Sequence, residues 1–348
     1  MDVALEEFRR HLKFRRFYDL DHIDELIEDK TLKQYFPLGL VGKTGKGNHL
    51  LVVECAGRID LQGILKSIQM NVFLAQRMRF QEKMLREINK MEAINKTQCS
   101  VIYILDLEGL KLDPKLISVV TGPYKILWSL VYTNYPEWID TMFIVNAPKF
   151  IWVLWKAIGP LLPERTRNKV RILSKSNYIK DLEKSIVYFR DRLIIPTNEI
   201  PKTLYWQPSE SSPKHTDLDS VVLGAGQTKI ITYKVYPYEG RILFTLNRYR
   251  NSKWHYKQNL IKHQRNILNF RYAERNYSMA VYYSKDEDSI NWDTNEMDDW
   301  SPEFVYPWMP TVDFAQFKGP GYGIYKLQFG NPQVNKLSLV TVIKALWL

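Results

Sequence analysis

Cysteine is scarce in this chain of 348 residues, which contains only Cys55 and Cys99. Two cysteines cannot form a disulfide framework or a cysteine-rich zinc site, and this usage is typical of a reducing compartment. The longest uncharged stretch, residues 126–136, has 11 residues, whereas a membrane-spanning helix needs about 20 apolar ones. The amino terminus lacks the basic and then apolar segments of a secretory signal. The sequence therefore predicts an intracellular protein.

Motifs for catalysis and metal binding are missing as well. The sequence has no GxSxG elbow, no GxGxxG fingerprint, no HExxH pair and no cysteine and histidine spacing typical of zinc sites. The segment Gly42–Gly47 resembles a phosphate-binding loop, but Pro37 stands where GxxxxGK[ST] needs its first glycine, so we expect a hairpin. Residues 286–303 lack the glycine of a calcium loop and predict a solvated acidic loop. We therefore expect a non-enzymatic protein without a cofactor or metal.

The charge balance is basic, with 49 Lys and Arg against 38 Asp and Glu, and it is uneven along the chain. Residues 149–180 hold eight basic side chains and one acid. This segment favours an anionic partner such as nucleic acid, a phosphoinositide or an acidic membrane surface. Residues 241–275 carry nine Lys or Arg against one Glu, and within residues 247–277 basic and aromatic residues interleave, as on a nucleic-acid surface. The eight acids of residues 286–303 could neutralise that surface, so nucleic acid is the remote alternative.

Short apolar runs alternate with longer helical patterns in the first half of the chain. The runs lie at residues 50–54, 101–105 and 141–146, and the helices are predicted near residues 61–92 and 115–133. The runs are apolar on both alternating faces, as strands of a parallel sheet covered by helices are. Prolines and serines then indicate a linker, and the strand-like runs beyond it predict an antiparallel β-sandwich. The fold class is therefore an α/β domain followed by an all-β domain.

The most apolar helical pattern spans residues 150–162 and is followed directly by basic residues. It is apolar on nearly every face, and Gly159-Pro160 would end or kink it. The side chains that it would present to a ligand are Phe150, Trp152, Val153, Leu154, Trp155 and Ile158. Such a helix is either a core helix covered on both sides or a lid over an apolar ligand that dips into a membrane interface. Both interpretations predict burial of these side chains in the closed protein.

An ordered set of motifs within residues 135–169 resembles CRAL-TRIO lipid-binding domains. The motifs are Tyr135-Pro136-Glu137, a strand ending in Ile144-Val145-Asn146-Ala147-Pro148, a tryptophan-bearing helix, Gly159-Pro160-Leu161-Leu162, and Thr166 with Lys169. Residues 321–344 resemble the last strands of a GOLD β-sandwich. The pairing is similar to the supernatant-protein-factor branch of lipid-transfer proteins, also described as tocopherol-associated proteins.

The resemblance implies a division of the chain into four parts. These are a remnant of the CRAL-TRIO N-terminal helices (1–30), an α/β CRAL-TRIO domain with a mostly parallel sheet and a lid helix (31–196), a linker (197–220) and a GOLD-like antiparallel β-sandwich (221–348). The N-terminal helical part is shorter than in the family, and Gly159 stands where the family has a lysine. The expected fold is thus a lipid-binding domain joined to a β domain.

Candidate ligand residues follow from the resemblance. In family members that bind phosphatidylinositol, the headgroup contacts the glutamate of the YPE motif and a threonine and a lysine after the lid helix. Glu137, Thr166 and Lys169 occupy these positions, and their chemistry suits a phosphodiester and inositol hydroxyls. Val101 and Tyr103 replace the central-strand hydroxyl residues that serve choline lipids in some members. Tyr103 is a further ligand-binding candidate, and phosphatidylcholine is disfavoured.

The resemblance implies that the protein binds one lipid, of the phosphatidylinositol or the tocopherol and isoprenoid type, and transfers it between membranes. The lid would open where the cations that follow it contact anionic headgroups. These cations are Arg165, Arg167, Arg171 and Lys175. The expected partners are the lipid, an anionic membrane surface and a protein bound by the GOLD domain, in the cytoplasm with transient membrane association. A membrane-targeted adaptor acting through the GOLD domain is the alternative function.

Overall fold

The computed structural model describes most of the chain and divides it into two compact units. The described residues are 2–45, 47–111, 124–159, 164–173, 198–207, 219–236, 243–250, 277–306, 313–318, 320–331 and 339–347. The central unit comprises residues 24–67 and 76–205. The β unit comprises residues 1–23, 68–75 and 206–348. Each unit has its own sheets and its own apolar core.

Helices and strands alternate as far as residue 172, and strands predominate in the described residues beyond it. The helices within the described residues are α1 (Asp2–Tyr18), α2 (Lys30–Tyr35), α3 (Leu61–Ser67), α4 (Met70–Asn95), α5 (Lys125–Asn134), α6 (Ile151–Ile158) and α7 (Glu164–Arg167). Short 3-10 helices span Leu20–Glu25, Ala56–Arg58, Lys202–Leu204, Glu287–Asn291 and Thr294–Glu296. The strands are β1 (Leu38–Lys43), β2 (His49–Glu54), β3 (Ser100–Asp106), β4 (Ile139–Val145), β5 (Val170–Ile172), β6 (Asp219–Leu223), β7 (Thr228–Val235), β8 (Leu243–Arg250), β9 (Tyr277–Ser284), β10 (Asp298–Tyr306), β11 (Asp313–Lys318), β12 (Gly323–Gly330) and β13 (Leu339–Trp347).

The central unit is built on a five-stranded sheet in the order β1-β2-β3-β4-β5. Strands β1 and β2 form an antiparallel hairpin, whereas the pairs β2/β3, β3/β4 and β4/β5 are parallel. The hairpin predicted around Gly42–Gly47 is confirmed. Gly45 and Gly47 lie there with φ of 81° and 63°, a region that glycine adopts without steric cost. The predicted α/β fold with a mostly parallel sheet is confirmed.

Alternate residues of the parallel strands face opposite sides of this sheet, and both sides are buried. Leu51 and Val53 of β2 join Ile102 and Ile104 of β3 in one apolar cluster. Glu54 of β2 and Tyr103 of β3 each directly follow one of these residues in the chain. Their side chains point to the opposite face of the sheet, because successive side chains alternate along a strand. Burial of both faces explains the nearly continuous apolar runs in the sequence. It also places one acid and one phenol inside the unit.

The helices of the central unit differ in part from the sequence predictions. The single helix expected near residues 61–92 is two helices, α3 and α4, separated by a bend at residue 68. The helix expected near residues 115–133 is described from α5 onward, because residues 112–123 lie outside the described part. Asp29 begins α2 as a cap by accepting a hydrogen bond from the Leu32 amide at 2.8 Å.

The β unit contains two four-stranded antiparallel sheets, in the orders β10-β9-β12-β7 and β11-β8-β13-β6. Its core is formed by large side chains of the first sheet, including Trp300, Tyr325 and Phe329, each at most 2% exposed. Helix α1 belongs to this unit and packs on β10, where Phe17 meets Trp300 edge to face with ring centroids 5.5 Å apart. The predicted antiparallel β architecture of the second half is confirmed.

Strand β10 corrects one prediction from the sequence. Residues 286–303 were expected to form a solvated acidic loop, but the segment ends in this nine-residue strand. Pairing of β10 with β9 is interrupted between Ser301 and Phe304, at Pro302, which has no backbone N–H to donate. Asp298 and Asp299 pair with Arg16 and Lys13 of α1, so part of the acidic segment is neutralised by the N-terminal helix.

Candidate functional site

Two of the three predicted headgroup residues meet at one end of the parallel sheet. Glu137 lies just before β4 and Lys169 just before β5, and β5 pairs in parallel with β4, with Val170 opposite Met142. The Lys169 Nζ atom donates to Glu137 Oε2 at 2.9 Å and to the Ile139 carbonyl at 2.6 Å. Arg165 Nε lies 3.2 Å from Glu137 Oε1. Glu137, Arg165 and Lys169 are called the surface charge cluster below.

The backbone at Glu137, whose side chain lies in this cluster, is unusual. Its φ is 59°, in the left-handed region that non-glycine residues seldom adopt. Such a conformation costs free energy and persists where the surrounding structure fixes it. Residues of this kind are common at functional sites. Thr166, the third predicted residue, lies on α7, and its side chain is outside the described part of the structure.

Electrostatics leave the surface charge cluster with one net positive charge. The hydrogen bond from Lys169 lowers the pKa of Glu137 below its ordinary value, with the charges of Lys169 and Arg165 adding to the effect and partial burial opposing it. Glu137 is therefore ionised at neutral pH, between two cations. A net charge of one is what a phosphodiester monoanion would neutralise.

The predicted lid helix is α6, and its side chains are not uniformly buried. Ile151 points into the unit, and Phe150 and Trp155 are partly buried. Trp152 and Val153, however, are 54% and 71% exposed. The prediction that these two side chains are buried in the closed protein is wrong, because the first turn of α6 turns them outward. The side chains of Leu154 and Ile158 lie outside the described part.

The cations predicted to contact a membrane are distributed differently. Arg165 belongs to the surface charge cluster, although its side chain remains 77% exposed. Arg171 Nη1 donates to the carbonyls of Asn168 and Val170, at 2.7 and 3.1 Å, and its side chain stays at the surface. Arg167 is partly buried, and Lys175 lies outside the described residues. Among these cations, Arg165 forms an ion pair with Glu137, one of the predicted headgroup residues.

A second polar group lies inside the central unit, around Tyr103. The Tyr103 hydroxyl donates to Glu54 Oε2, and the Tyr124 hydroxyl donates to Glu54 Oε1. Glu54 and Tyr103 are completely buried. Each oxygen of Glu54 therefore accepts a hydrogen bond from a tyrosine hydroxyl. Glu54, Tyr103 and Tyr124, together with the neighbouring Arg77 on α4, are called the buried polar cluster below.

The charges of the buried polar cluster are fixed by its surroundings. Burial, reinforced by the charge of Glu54, raises the pKa of Tyr103 and of Tyr124 well above their ordinary value. Burial alone would lower the pKa of Arg77, but the adjacent Tyr103 oxygen and the Glu54 carboxylate outweigh it and raise the pKa. Arg77 and Glu54 carry opposite formal charges, so the formal net charge of the cluster is zero.

Aromatic rings enclose the buried polar cluster. Tyr103 meets Trp128 and Trp138 edge to face, with centroids 5.6 and 5.9 Å apart, and Trp128 stacks on Tyr132 at 5.4 Å. The Arg77 guanidinium lies over the rings of Phe36 and Phe80, at 5.8 and 5.6 Å from their centroids. Aromatic faces stabilise a buried cation without accepting its hydrogen bonds in the plane of the guanidinium.

Several buried N–H groups beside this cluster have no acceptor within the part of the chain that the structure describes. They are Arg77 Nε and Nη1, Gln81 Nε2 one turn further along α4, and Trp138 Nε1. All three residues are at least nine-tenths buried. Buried polar groups are nearly always paired in proteins, so unpaired donors at one place need an explanation. The arrangement can bind a group that supplies acceptor oxygens.

Comparisons with known proteins agree with this architecture. Residues 33–188 match the family described as CRAL/TRIO domain. The chain is 30% identical over 335 residues to the CRAL-TRIO domain-containing protein F28H7.8 of Caenorhabditis elegans, a match that covers 92% of this chain and 75% of that protein. This chain belongs to the CRAL-TRIO family. Its members are typically proteins that bind lipophilic ligands rather than enzymes.

Other relatives of this CRAL-TRIO protein match over shorter parts. The CRAL-TRIO domain-containing protein T23G5.2 of Caenorhabditis elegans is 26% identical over 63% of this chain, and Protein real-time of Drosophila pseudoobscura pseudoobscura is 24% identical over 61%. This chain spans 32% and 33% of their lengths. The crystal structure of Sfh5 has a TM-score of 0.41 and 18% identity, covering 48% of this chain and 57% of that one. Residues 204–340 match a family described as F28H7_8_C:-like, C-terminal domain.

Two further features of the CRAL-TRIO protein concern membranes and metals. Among the described residues, no helix combines the length and apolar character needed to cross a bilayer. The same part of the chain contains no group of three or more His, Cys, Asp or Glu side chains placed to hold a metal ion.

Sequence reasoning missed Arg77 and Glu54 as functional candidates. Glu54 ends the apolar run of β2, and Arg77 lies between the buried residues Leu74 and Met78 of α4. Glu54 and Arg77 are charged residues at positions where the apolar pattern predicts a core-facing side chain, and this mismatch is a signal that could have identified them. Single charged residues in a helix are usually solvated, however, and the sequence alone does not show which strand faces Arg77.

Proposed function

We propose that this CRAL-TRIO protein binds one phospholipid of the phosphatidylinositol type in its central unit and carries it between membranes. The observation that supports this most directly is the surface charge cluster, where Lys169 and Arg165 leave a net positive charge around Glu137. A phosphodiester would bind to the cations, and inositol hydroxyls would donate to the carboxylate. Thr166, on α7 between Arg165 and Lys169, would add a hydroxyl contact.

The exposed side chains of α6 support a contact with a membrane surface. Trp152 and Val153 face solvent in the structure, and an exposed tryptophan beside an aliphatic side chain is suited to a bilayer interface. Arg165 and Arg171 follow in the chain at the surface and would contact anionic headgroups. We propose that α6 touches the membrane with these two side chains and then moves to admit the lipid. Such a protein would act in the cytoplasm with transient membrane association.

A transfer assay tests this function. Purified full-length protein is incubated with donor vesicles that contain labelled phosphatidylinositol or labelled phosphatidylcholine and with unlabelled acceptor vesicles. We expect transfer of phosphatidylinositol, reduced about tenfold or more in Lys169→Ala because a charge-assisted hydrogen bond contributes roughly 1.5–3 kcal/mol. Lys90→Ala, which removes an exposed lysine of the same unit, is the matched control.

The possible results separate the claims. Transfer that is equal in wild type and Lys169→Ala would remove the surface charge cluster from headgroup binding. Tocopherol or another isoprenoid found as the co-purified ligand by native mass spectrometry would change the lipid class. A protein that binds no lipid from mixed vesicles would contradict the proposed function itself.

The β unit supports a second candidate function, an adaptor whose lipid domain targets it to membranes. We propose that residues 221–348 are a GOLD-type sandwich, on the basis of two four-stranded antiparallel sheets and the resemblance of the last strands. One observation favours an interaction role: α1 packs on β10 yet leaves Leu5, Phe8 and Leu12 about half exposed. Crosslinking of the wild type and a Phe8→Ser variant, with identification of proteins lost from the variant alone, tests this role.

A further inference from the structure

Arg77 of the central unit is a buried cation whose donors are not all used. Only 5% of its surface is exposed. Tyr103 interacts with one side of the guanidinium, while Nε and Nη1 find no acceptor within the described part of the chain. Burial without an acceptor is costly for any N–H group and more so for a charged one. The site therefore favours a ligand that brings oxygen atoms to Arg77.

The positions of the free donors define how many oxygens are needed. Nε and Nη1 lie on different edges of the planar guanidinium, so one carboxylate cannot accept from both as it does from a single edge. Trp138 Nε1 is a further buried donor, and its ring lies against Tyr103 with centroids 5.9 Å apart. At least two acceptor atoms, separated in space, are needed to satisfy these donors.

The charge of the site defines what kind of oxygen it accepts. Arg77 and Glu54 already balance each other, and the two tyrosines are neutral. An added anion would leave an uncompensated charge in a buried place, whereas an uncharged carbonyl oxygen would not. The site is thus suited to neutral acceptors, in contrast to the surface charge cluster.

Chain continuity links the two clusters. Glu137 belongs to the surface charge cluster, and the next residue, Trp138, carries the buried donor beside Tyr103. In a glycerolipid, the phosphate and the acyl ester carbonyls are likewise neighbours, since both are attached to the glycerol.

We propose that Arg77 and Trp138 bind the ester carbonyl oxygens of a glycerolipid inside the central unit, an inference that rests on the lipid-binding function proposed above. The acyl chains would then extend along the apolar interior, while the phosphate stays at the surface charge cluster. The protein would select lipids by their ester linkage as well as by their headgroup.

Competition between ester and ether lipids tests this proposal with the full-length protein. The probe is a vesicle that holds equal amounts of diacyl phosphatidylinositol and its dialkyl ether analogue of the same chain length, which lacks both carbonyl oxygens. The protein is re-isolated, and the bound lipids are extracted and quantified by mass spectrometry. We expect the wild type to take up the diacyl lipid about tenfold or more in excess, the scale of one hydrogen bond from a charged donor.

Variants test whether Arg77 and Trp138 cause the preference for the diacyl lipid. Arg77→Met should bring the ratio close to one, and Trp138→Phe, which keeps an aromatic ring, should lower it. Arg86→Met, which removes an exposed arginine of α4 paired with Asp24, should leave the ratio unchanged. The wild-type ratio tests the proposal even if Arg77→Met does not fold.

Each outcome decides between the two proposals. Equal uptake of ester and ether lipid by the wild type overturns the ester inference and leaves lipid binding intact. Uptake of neither lipid overturns the proposed function and with it the inference. A second pair of lipids, diacyl phosphatidylcholine and its dialkyl ether analogue, separates recognition of the ester from recognition of the headgroup. An ester preference that persists in this choline pair supports Arg77 and Trp138 as its cause rather than the headgroup site. An ester preference confined to the inositol pair overturns the inference.

Discussion

Replacement of Tyr103 by phenylalanine is the most direct test of the buried polar cluster. Tyr103 is completely buried, and its hydroxyl donates to Glu54, which is also completely buried. Phenylalanine keeps the ring and its contacts with Trp128 and Trp138, so that the change removes only the hydroxyl. The variant leaves one oxygen of a buried carboxylate without its donor.

The size of the effect follows from this geometry. A hydrogen bond to a charged group contributes about 1.5–3 kcal/mol to stability, and an acceptor left buried and unpaired costs an amount in the same range. We expect Tyr103→Phe to lower the free energy of unfolding of the central unit by about 2 kcal/mol. For a unit of this size, that is a fall in Tm of about 4–8 °C.

Differential scanning calorimetry and urea unfolding followed by circular dichroism measure this change. Tyr132→Phe is the matched control, because Tyr132 stacks on Trp128 and its ring is retained in the variant. We expect the control to differ from wild type by less than about 0.5 kcal/mol, as a substitution does when no hydrogen-bonded network is broken. If the two variants unfold with the same free energy, Glu54 is not held by Tyr103 and the cluster does not stabilise the unit.

Three further predictions concern other parts of the molecule. Trp152→Ser combined with Val153→Ser should lower the affinity for anionic vesicles, measured by co-sedimentation, by about tenfold or more. The reason is that each exposed apolar side chain gains roughly 1.5–3 kcal/mol on full burial. Unchanged binding would contradict the membrane contact. Lys169 is the chief cause of the lowered pKa of Glu137, so the ionised carboxylate should stabilise the folded protein. This contribution should be complete above pH 4.5, the ordinary pKa of the group, and should be lost as the pH falls through its lowered pKa in the folded protein. Carboxyl NMR titration should show this shift reduced in Lys169→Ala, and a value at or above 4.5 in the wild type would contradict the ion pair. Trp300→Ala should destabilise the β unit by about 3–5 kcal/mol in urea unfolding, and a loss below about 1 kcal/mol would place Trp300 outside the core.

The parallel sheet could be predicted from sequence because its strands are buried on both faces. Residues 50–54 and 101–105 are nearly all apolar, and such runs bounded by helices indicate little else. Strand β10 was missed because its acids and Pro302 are typical of a loop. Its charges are matched by Arg16 and Lys13 of α1, which are 282 and 286 residues away in the chain. No local pattern shows such a pairing.

The candidate site was predictable only where motifs carried it. The resemblance brought Glu137 and Lys169 together, and the structure places their side chains within 2.9 Å. The orientation of α6 was not predictable, because a helix that is apolar on nearly every face gives no sign of which side faces solvent. Arg77 was missed for the opposite reason: its charge marks it as a surface residue, and only tertiary structure shows that it is buried.

Charge balance gives the two polar clusters of the central unit different chemical preferences. Around Glu137 there are two cations for one carboxylate, at a surface where water and salt moderate the interaction. Around Glu54 there is one cation for one carboxylate, in an interior where an extra charge would be expensive. The first cluster therefore suits a group with a negative charge, and the second suits uncharged acceptor oxygens. A glycerolipid carries both kinds of group on one glycerol, whereas a tocopherol or a hydrocarbon isoprenoid carries no phosphate for the first cluster, and for this reason we propose a phospholipid as the ligand.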